Sequence, residues 1–117
     1  MSHEVGTFLW AAPEVLKGGK LTVAADIYSF GMLLSELDTH QVPFDGLLTD
    51  FGDVMVPMAI VMKVMQGTLR VMPSKECPPP IASLLEACTQ FEPSKRPTAA
   101  QVLASLTQVA ATWGGSE

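Results

Sequence analysis

Apolar positions along this chain fall into blocks of helical spacing, parted by stretches rich in glycine, proline and aspartate. The clearest block is VAADIYSFGMLLSEL, residues 23 to 37, which is apolar on nearly every side. A helix of that kind belongs at the centre of a fold. Thr22 supplies an N-cap for it, and it should end near Leu37 or Asp38. Gly31 in its middle costs about 1 kcal/mol against alanine, so it marks a close approach of another element. Ahead of it, Pro13 suits the first position of a short helix running through Leu16 and stopping at Gly18-Gly19.

A third helix is expected over about residues 54 to 66, ending at Gly67. On it the spacing puts Met55, Met58, Met62 and Met65 on one face. IASLLEACTQF, residues 81 to 91, forms a fourth helix after the breaks at Pro73 and Pro78-Pro79-Pro80. The last begins near Pro97 with Thr98 close to its start, and Val102, Leu103, Leu106, Val109, Ala110 and Trp113 recur at amphipathic spacing. Residues 1 to 12 and 39 to 53 read as irregular; the second stretch holds Pro43, Gly46, Gly52 and three aspartates. No strand pair is convincing, so the chain is mainly α, with about five helices.

Composition narrows the class. The 117 residues suit one modest domain or part of a larger one. With 48% hydrophobic and 16% charged residues the chain can pack a core and is no disordered tail. Seven Lys and Arg in no cluster, a net charge of −5 and a pI near 4.8 argue against a nucleic-acid partner. The longest apolar run, Val54 to Met62, has nine residues and contains Pro57, too short for a membrane span of about 20. MSHEVG lacks the features of a signal peptide. Cys77 and Cys88 read as reduced structural thiols of a cytoplasmic protein, since neither His3 nor His40 is placed to activate them.

Four motifs carry the chemistry. Gly6-Thr7-x-x-Trp10-x-Ala12-Pro13-Glu14 comes first, and Asp26-Ile27-Tyr28-Ser29-Phe30-Gly31 follows 12 residues after Glu14. Pro43-Phe44 comes next, and Cys88-x-x-Phe91-x-Pro93-x-x-Arg96-Pro97-Thr98 closes the set. In that order and spacing they resemble the C-terminal part of the protein kinase catalytic domain, and within it the tyrosine-kinase-like group of serine/threonine kinases. Ala11 stands where that group usually has methionine. The Pro-Val-Lys/Arg-Trp stretch usual in tyrosine kinases does not occur.

The resemblance implies a partial kinase domain over residues 1–117: the end of the activation segment over 1–14, then the helices of the C-lobe. It implies that Gly6, Thr7, Phe8, Leu9 and Trp10 form the P+1 loop, which meets the residue after the phosphoacceptor of a protein substrate. Thr7 would support the catalytic Asp and Lys, and Trp10 would floor the substrate pocket; read locally, Thr7 is a loop hydroxyl and Trp10 core packing. Glu14 of the A-P-E would pair with Arg96, a fit of carboxylate to guanidinium fork. Asp26 would anchor the catalytic loop in a whole kinase; without that loop it should be hydrated or otherwise paired, and read locally it favours its helix dipole. The methionine-bearing helix could serve protein docking, although a methionine stripe is more often packing. Ser2 is a weak candidate phosphosite.

Phosphoryl transfer needs phosphate positioning and charge neutralisation, which kinases draw from a Gly-rich loop, a strand lysine, H-R-D and D-F-G. No G-x-G-x-x-G, V-A-x-K or H-R-D occurs, and the chain is expected to supply no D-F-G either. The expectation is therefore that the chain supplies no catalytic base and no metal ligand, that ATP and Mg²⁺ belong to a full-length kinase, and that this chain alone is inactive. Alternatives are a non-catalytic binding or scaffold module, or a fragment competing with a full-length kinase for substrates. Without the catalytic loop as cover, the residue 22–37 helix should expose apolar surface.

Overall fold

A computed structural model describes residues 8–114, with side chains through residue 112. Among the described residues it contains five α-helices. They are α1 (Pro13–Leu16), α2 (Val23–Thr39), α3 (Pro57–Met65), α4 (Pro79–Cys88) and α5 (Ala99–Gly114). Short 3₁₀ turns occupy Phe8–Trp10 and Pro93–Lys95. Extended pairing among the described residues is limited to one antiparallel bridge, Leu48 to Val54. The fold is the mainly helical one expected.

α2 is the axis. The Ala25 N–H donates to Thr22 Oγ1 at 3.1 Å, so Thr22 caps the helix as its residue type foretells. The helix runs to Thr39, just past the expected end. There His40 turns left-handed at φ 59° and its N–H returns to Glu36 O. α2 packs mainly on α4, and Gly31 is why the two approach so closely. A Cβ at residue 31 would lie 2.6 Å from Thr89 Cγ2 and 2.8 Å from Cys88 Cβ. Around that contact Met32, Leu85 and Cys88 are fully buried, joined by Ile27, Tyr28, Leu34, Val71 and Val102.

Not every side of α2 is covered. Val23, Leu33 and Leu37 are exposed, Leu37 by 71%. The helix is central, but one flank faces solvent.

A second, smaller cluster gathers Leu9, Met55, Ile60, Val61 and Val64. Trp10 and Phe44 touch both clusters and join them. Here the expected helix over 54 to 66 is corrected: α3 starts at Pro57. Pro57 takes the first helical position, and Val56 before it is extended at φ −72°, ψ 151°, the conformation that a following proline imposes. Met55 therefore lies outside the helix. Its N–H donates to Leu47 O at 2.8 Å and its side chain is buried. Met58, Met62 and Met65 keep one face of α3 without Met55; Met58 and Met62 are about half exposed and Met65 is half-buried.

α4 is also shifted, covering 79–88 instead of 81–91. The proline run does not break the chain before the helix; it starts it. Pro78 is the N-cap and Pro79 and Pro80 fill the first turn, where a missing N–H removes no helical bond. α5 opens on a reciprocal cap: Gln101 N–H donates to Thr98 Oγ1 at 3.1 Å, and Thr98 N–H donates to Gln101 Oε1 at 2.8 Å.

Candidate functional site

The described part of the proposed substrate loop is the Phe8–Trp10 turn. Ala11 N–H closes it on Phe8 O at 3.1 Å. Its three side chains diverge. Phe8 is 48% exposed, Leu9 is buried in the smaller cluster, and Trp10 lies half-buried between the two clusters. Two hydrogen bonds fasten Trp10 to α2: its indole Nε1–H donates to Glu36 Oε1 at 2.6 Å, and Ser29 Oγ–H donates to Trp10 O at 2.8 Å. Gly6 and Thr7, and the candidate phosphosite Ser2, lie outside the described residues.

Behind the turn, Ala12 is extended and α1 begins at Pro13. Glu14 is thereby aimed at Arg96, which enters from the other end of the chain. Arg96 Nη1 donates to Glu14 Oε2 at 2.7 Å and Nη2 to Glu14 Oε1 at 2.8 Å. The remaining N–H groups reach backbone: Nε to Gln90 O, Nη1 to Ala24 O and Nη2 to Phe91 O. All five guanidinium donors are used. The group also lies 5.0 Å from the Tyr28 ring centroid.

The Arg96 side chain is 0% exposed and that of Glu14 is 26% exposed. A buried charge persists only where it is paired and hydrogen-bonded, and Arg96 is both. The hydrogen bonds from Arg96 hold the Glu14 carboxyl below its ordinary value, against the opposing effect of burial. Burial drives the Tyr28 hydroxyl up to about 12, so it stays neutral beside the guanidinium. Arg96 thus joins α1, the start of α2 and the 90–91 backbone at one point.

Asp26 sits in the first turn of α2 and is exposed. Among the described residues nothing donates to its carboxylate. It lines an apolar groove between α2 and α5 with Val23, Ile27, Phe30, Val102 and Leu103. A second groove, of about 300 Å³, runs between the first turn and α3. Phe8, Val15 and Leu16 form one wall; Met58, Val61 and Met65 form the other. The structure thus brings Phe8 together with Met58 and Met65, leaves Met62 facing out, and places Met55 elsewhere.

Several ties escape sequence reasoning. Ser74 donates to Asp38 twice, through its N–H (2.7 Å) and its hydroxyl (2.6 Å). Burial pushes the Asp38 carboxyl up, but the Ser74 hydrogen bonds prevail and hold it below its ordinary value. Arg70 Nη2 donates to Glu86 O and Thr89 Oγ1. No local pattern announces partners 36 or 16 residues apart. The Thr98-x-x-Gln101 spacing, by contrast, is a visible cap signature. Cys77 and Cys88 are free and buried, and burial pushes the Cys88 thiol up to about 11, away from reactivity.

ATP and Mg²⁺ need phosphate-cradling backbone and paired acidic ligands. The tripeptide Asp50-Phe51-Gly52 does spell D-F-G, which corrects the expectation that this chain supplies no such sequence. It follows the A-P-E instead of preceding it, however, and forms an exposed turn. Among the described residues no three His, Cys, Asp or Glu side chains gather into a cation site. The residues present do not fit the nucleotide or its metal, and no step of phosphoryl transfer is assigned to them. Among the described residues no helix is long and apolar enough to cross a membrane.

The protein kinase domain family matches residues 1–106. Serine/threonine-protein kinase STY17 of Arabidopsis thaliana is 33% identical over 117 residues, all of this chain and 19% of the relative. Serine/threonine/tyrosine-protein kinase HT1 of the same plant is 35% identical over 102 residues, 87% of this chain and 24% of the relative. Mitogen-activated protein kinase kinase kinase 10 of Xenopus laevis is 36% identical over 107 residues, 89% of this chain and 10% of the relative. The chain thus spans about a quarter or less of the length of these relatives.

Proposed function

The chain belongs to the protein kinase domain family, and on that premise we propose that it is the substrate-facing C-terminal part of a serine/threonine kinase of the tyrosine-kinase-like group. In the full-length protein it would serve ATP- and Mg²⁺-dependent phosphoryl transfer to serine or threonine of protein substrates. One observation carries the reading. The Phe8–Trp10 turn and the A-P-E glutamate behind it are fixed to the helical core by Trp10–Glu36, Ser29–Trp10 and the fully used Arg96 guanidinium.

Each residue then has a definable part. Residues 6–10 form the P+1 loop, with Thr7 supporting the catalytic groups supplied by the rest of the protein. Leu9 and Trp10 seat that loop, while Phe8, Met58 and Met65 line a groove able to take the apolar side chain that follows the phosphoacceptor. The flexible thioethers of Met58 and Met65 would let that groove adapt to more than one side chain. Glu14 and Arg96 position the loop without touching the reacting atoms. Asp26 stands free to accept hydrogen bonds from a catalytic loop. A cytoplasmic setting fits the two free, buried cysteines.

The test is phosphotransfer by the full-length protein, followed on serine, threonine and tyrosine peptides. Transfer to serine or threonine, with KM for peptide raised about ten-fold by Met58→Glu, supports the proposal. No transfer, or transfer to tyrosine alone, contradicts it.

A further inference from the structure

The loop between α2 and α3 holds out an aromatic ring that the fold leaves bare. Residues 47–55 close on themselves through Met55 N–H to Leu47 O at 2.8 Å, Thr49 N–H to Asp53 O at 2.7 Å and Gly52 N–H to Thr49 O at 3.0 Å. Thr49 Oγ1 accepts from the N–H groups of Phe51 and Asp53. Gly52 makes the reversal at φ +86°, which a larger residue would adopt only with strain. Yet at the tip of this well-bonded turn Phe51 is 93% exposed. Leu48 and Val54, paired across the bridge, are exposed as well.

Between the turn and α3 opens a cleft of about 560 Å³. Leu47, Met55 and Leu69 give it an apolar lining, while Asp50, Asp53 and Lys63 supply its charges. It uses a different face of α3 from the groove of Met58 and Met65: Ala59 and Lys63 line it instead.

Charge selects the occupant. The cleft itself carries two carboxylates, Asp50 and Asp53, against one cation, Lys63. The one ion pair among the described residues lies elsewhere, at Glu14 and Arg96. A guanidinium answers both features, since it stacks on an open aromatic face and forks onto carboxylates. The apolar lining accepts an aliphatic side chain beside it. A second copy of this chain is a poor occupant, because it would bring its own aspartates against these and the chain already carries a net charge of −5.

We infer that the cleft between the 47–55 turn and α3 docks a short peptide of another protein in which arginines flank an aliphatic residue. The inference does not rest on the P+1 reading, because the two sites share no lining residue.

The test uses a fluorescein-labelled Ala-Arg-Leu-Arg-Leu-Ala peptide titrated with the whole chain and followed by anisotropy. Saturable binding that weakens with salt is expected, reduced about ten-fold by Phe51→Ala and similarly by Asp50→Asn with Asp53→Asn. All three positions are exposed, so melting curves of these variants should match the parent. Four results would overturn the inference. They are no saturable binding, equal affinity for Phe51→Ala, equal affinity for the peptide with glutamates replacing arginines, or binding lost with Met58→Glu but kept with Phe51→Ala.

Discussion

Arg96 donates every N–H it has, so whatever removes one of its partners strands a charge out of water. Glu14→Ala and Arg96→Ala should each destabilise by about 3 kcal/mol, the lower end of the range for breaking a buried pair, because Glu14 keeps some solvent contact. The double variant should cost much less than the sum, and denaturant titration of the four proteins measures the coupling. Additive losses would refute the pairing as an energetic unit. The same pair sets an acid limit. The Glu14 pKa is lowered in the folded state, so its stabilisation is present above its ordinary value near 4.5 and is lost as pH falls through the lower, folded value. Thermal melts should show a steeper fall on acidification in the parent than in Glu14→Gln. Asp38 adds to that limb in both proteins and so cancels in the comparison. The pair was legible in the sequence only through the resemblance to kinases, which implies that the A-P-E glutamate meets the R-P arginine. The Asp38–Ser74 tie was not, because aspartate and serine are common loop residues and only the fold brings these two together.

Among the elements, the α2–α4 crossing depends on a missing side chain. With Thr89 Cγ2 only 2.6 Å from a Cβ at position 31, Gly31→Ala forces the helices apart despite the higher helix propensity of alanine. The expected loss is about 1–3 kcal/mol in a denaturant titration, as for overpacking. Thr98→Ala should cost about 1 kcal/mol through the lost cap. The existence and order of the helices could be read from apolar spacing, and so could the Thr22 cap and the Gly31 contact. The two helix starts that depart from the apolar spacing both involve proline. Over 54 to 66 the spacing of apolar residues is helical, yet Pro57 holds Val56 extended and cuts the helix short. Over 78 to 80 the prolines furnish a first turn and not a break, because their missing N–H groups cost nothing there. Apolar periodicity alone does not say where helical hydrogen bonding can begin.

At the scale of the whole molecule, two apolar clusters meet through Trp10 and Phe44, and the turn that carries Trp10 fronts a groove of its own. The flank of α2 with Val23, Leu33 and Leu37, continued by Leu103 on α5, remains open. The chain by itself should therefore bind an apolar-surface dye strongly, and a dye-silent, sharply cooperative monomer would argue against this view. Incubated alone with ATP and Mg²⁺, it should transfer no phosphate, since its residues fit neither. The most direct test of the account is phosphorylation by the full-length protein of serine and threonine peptides varied at the position after the phosphoacceptor. Transfer to serine and threonine is expected, with a preference at that position that Phe8→Ala and Met58→Ala alter. A preference unchanged by both substitutions, or no transfer to serine or threonine, would contradict it.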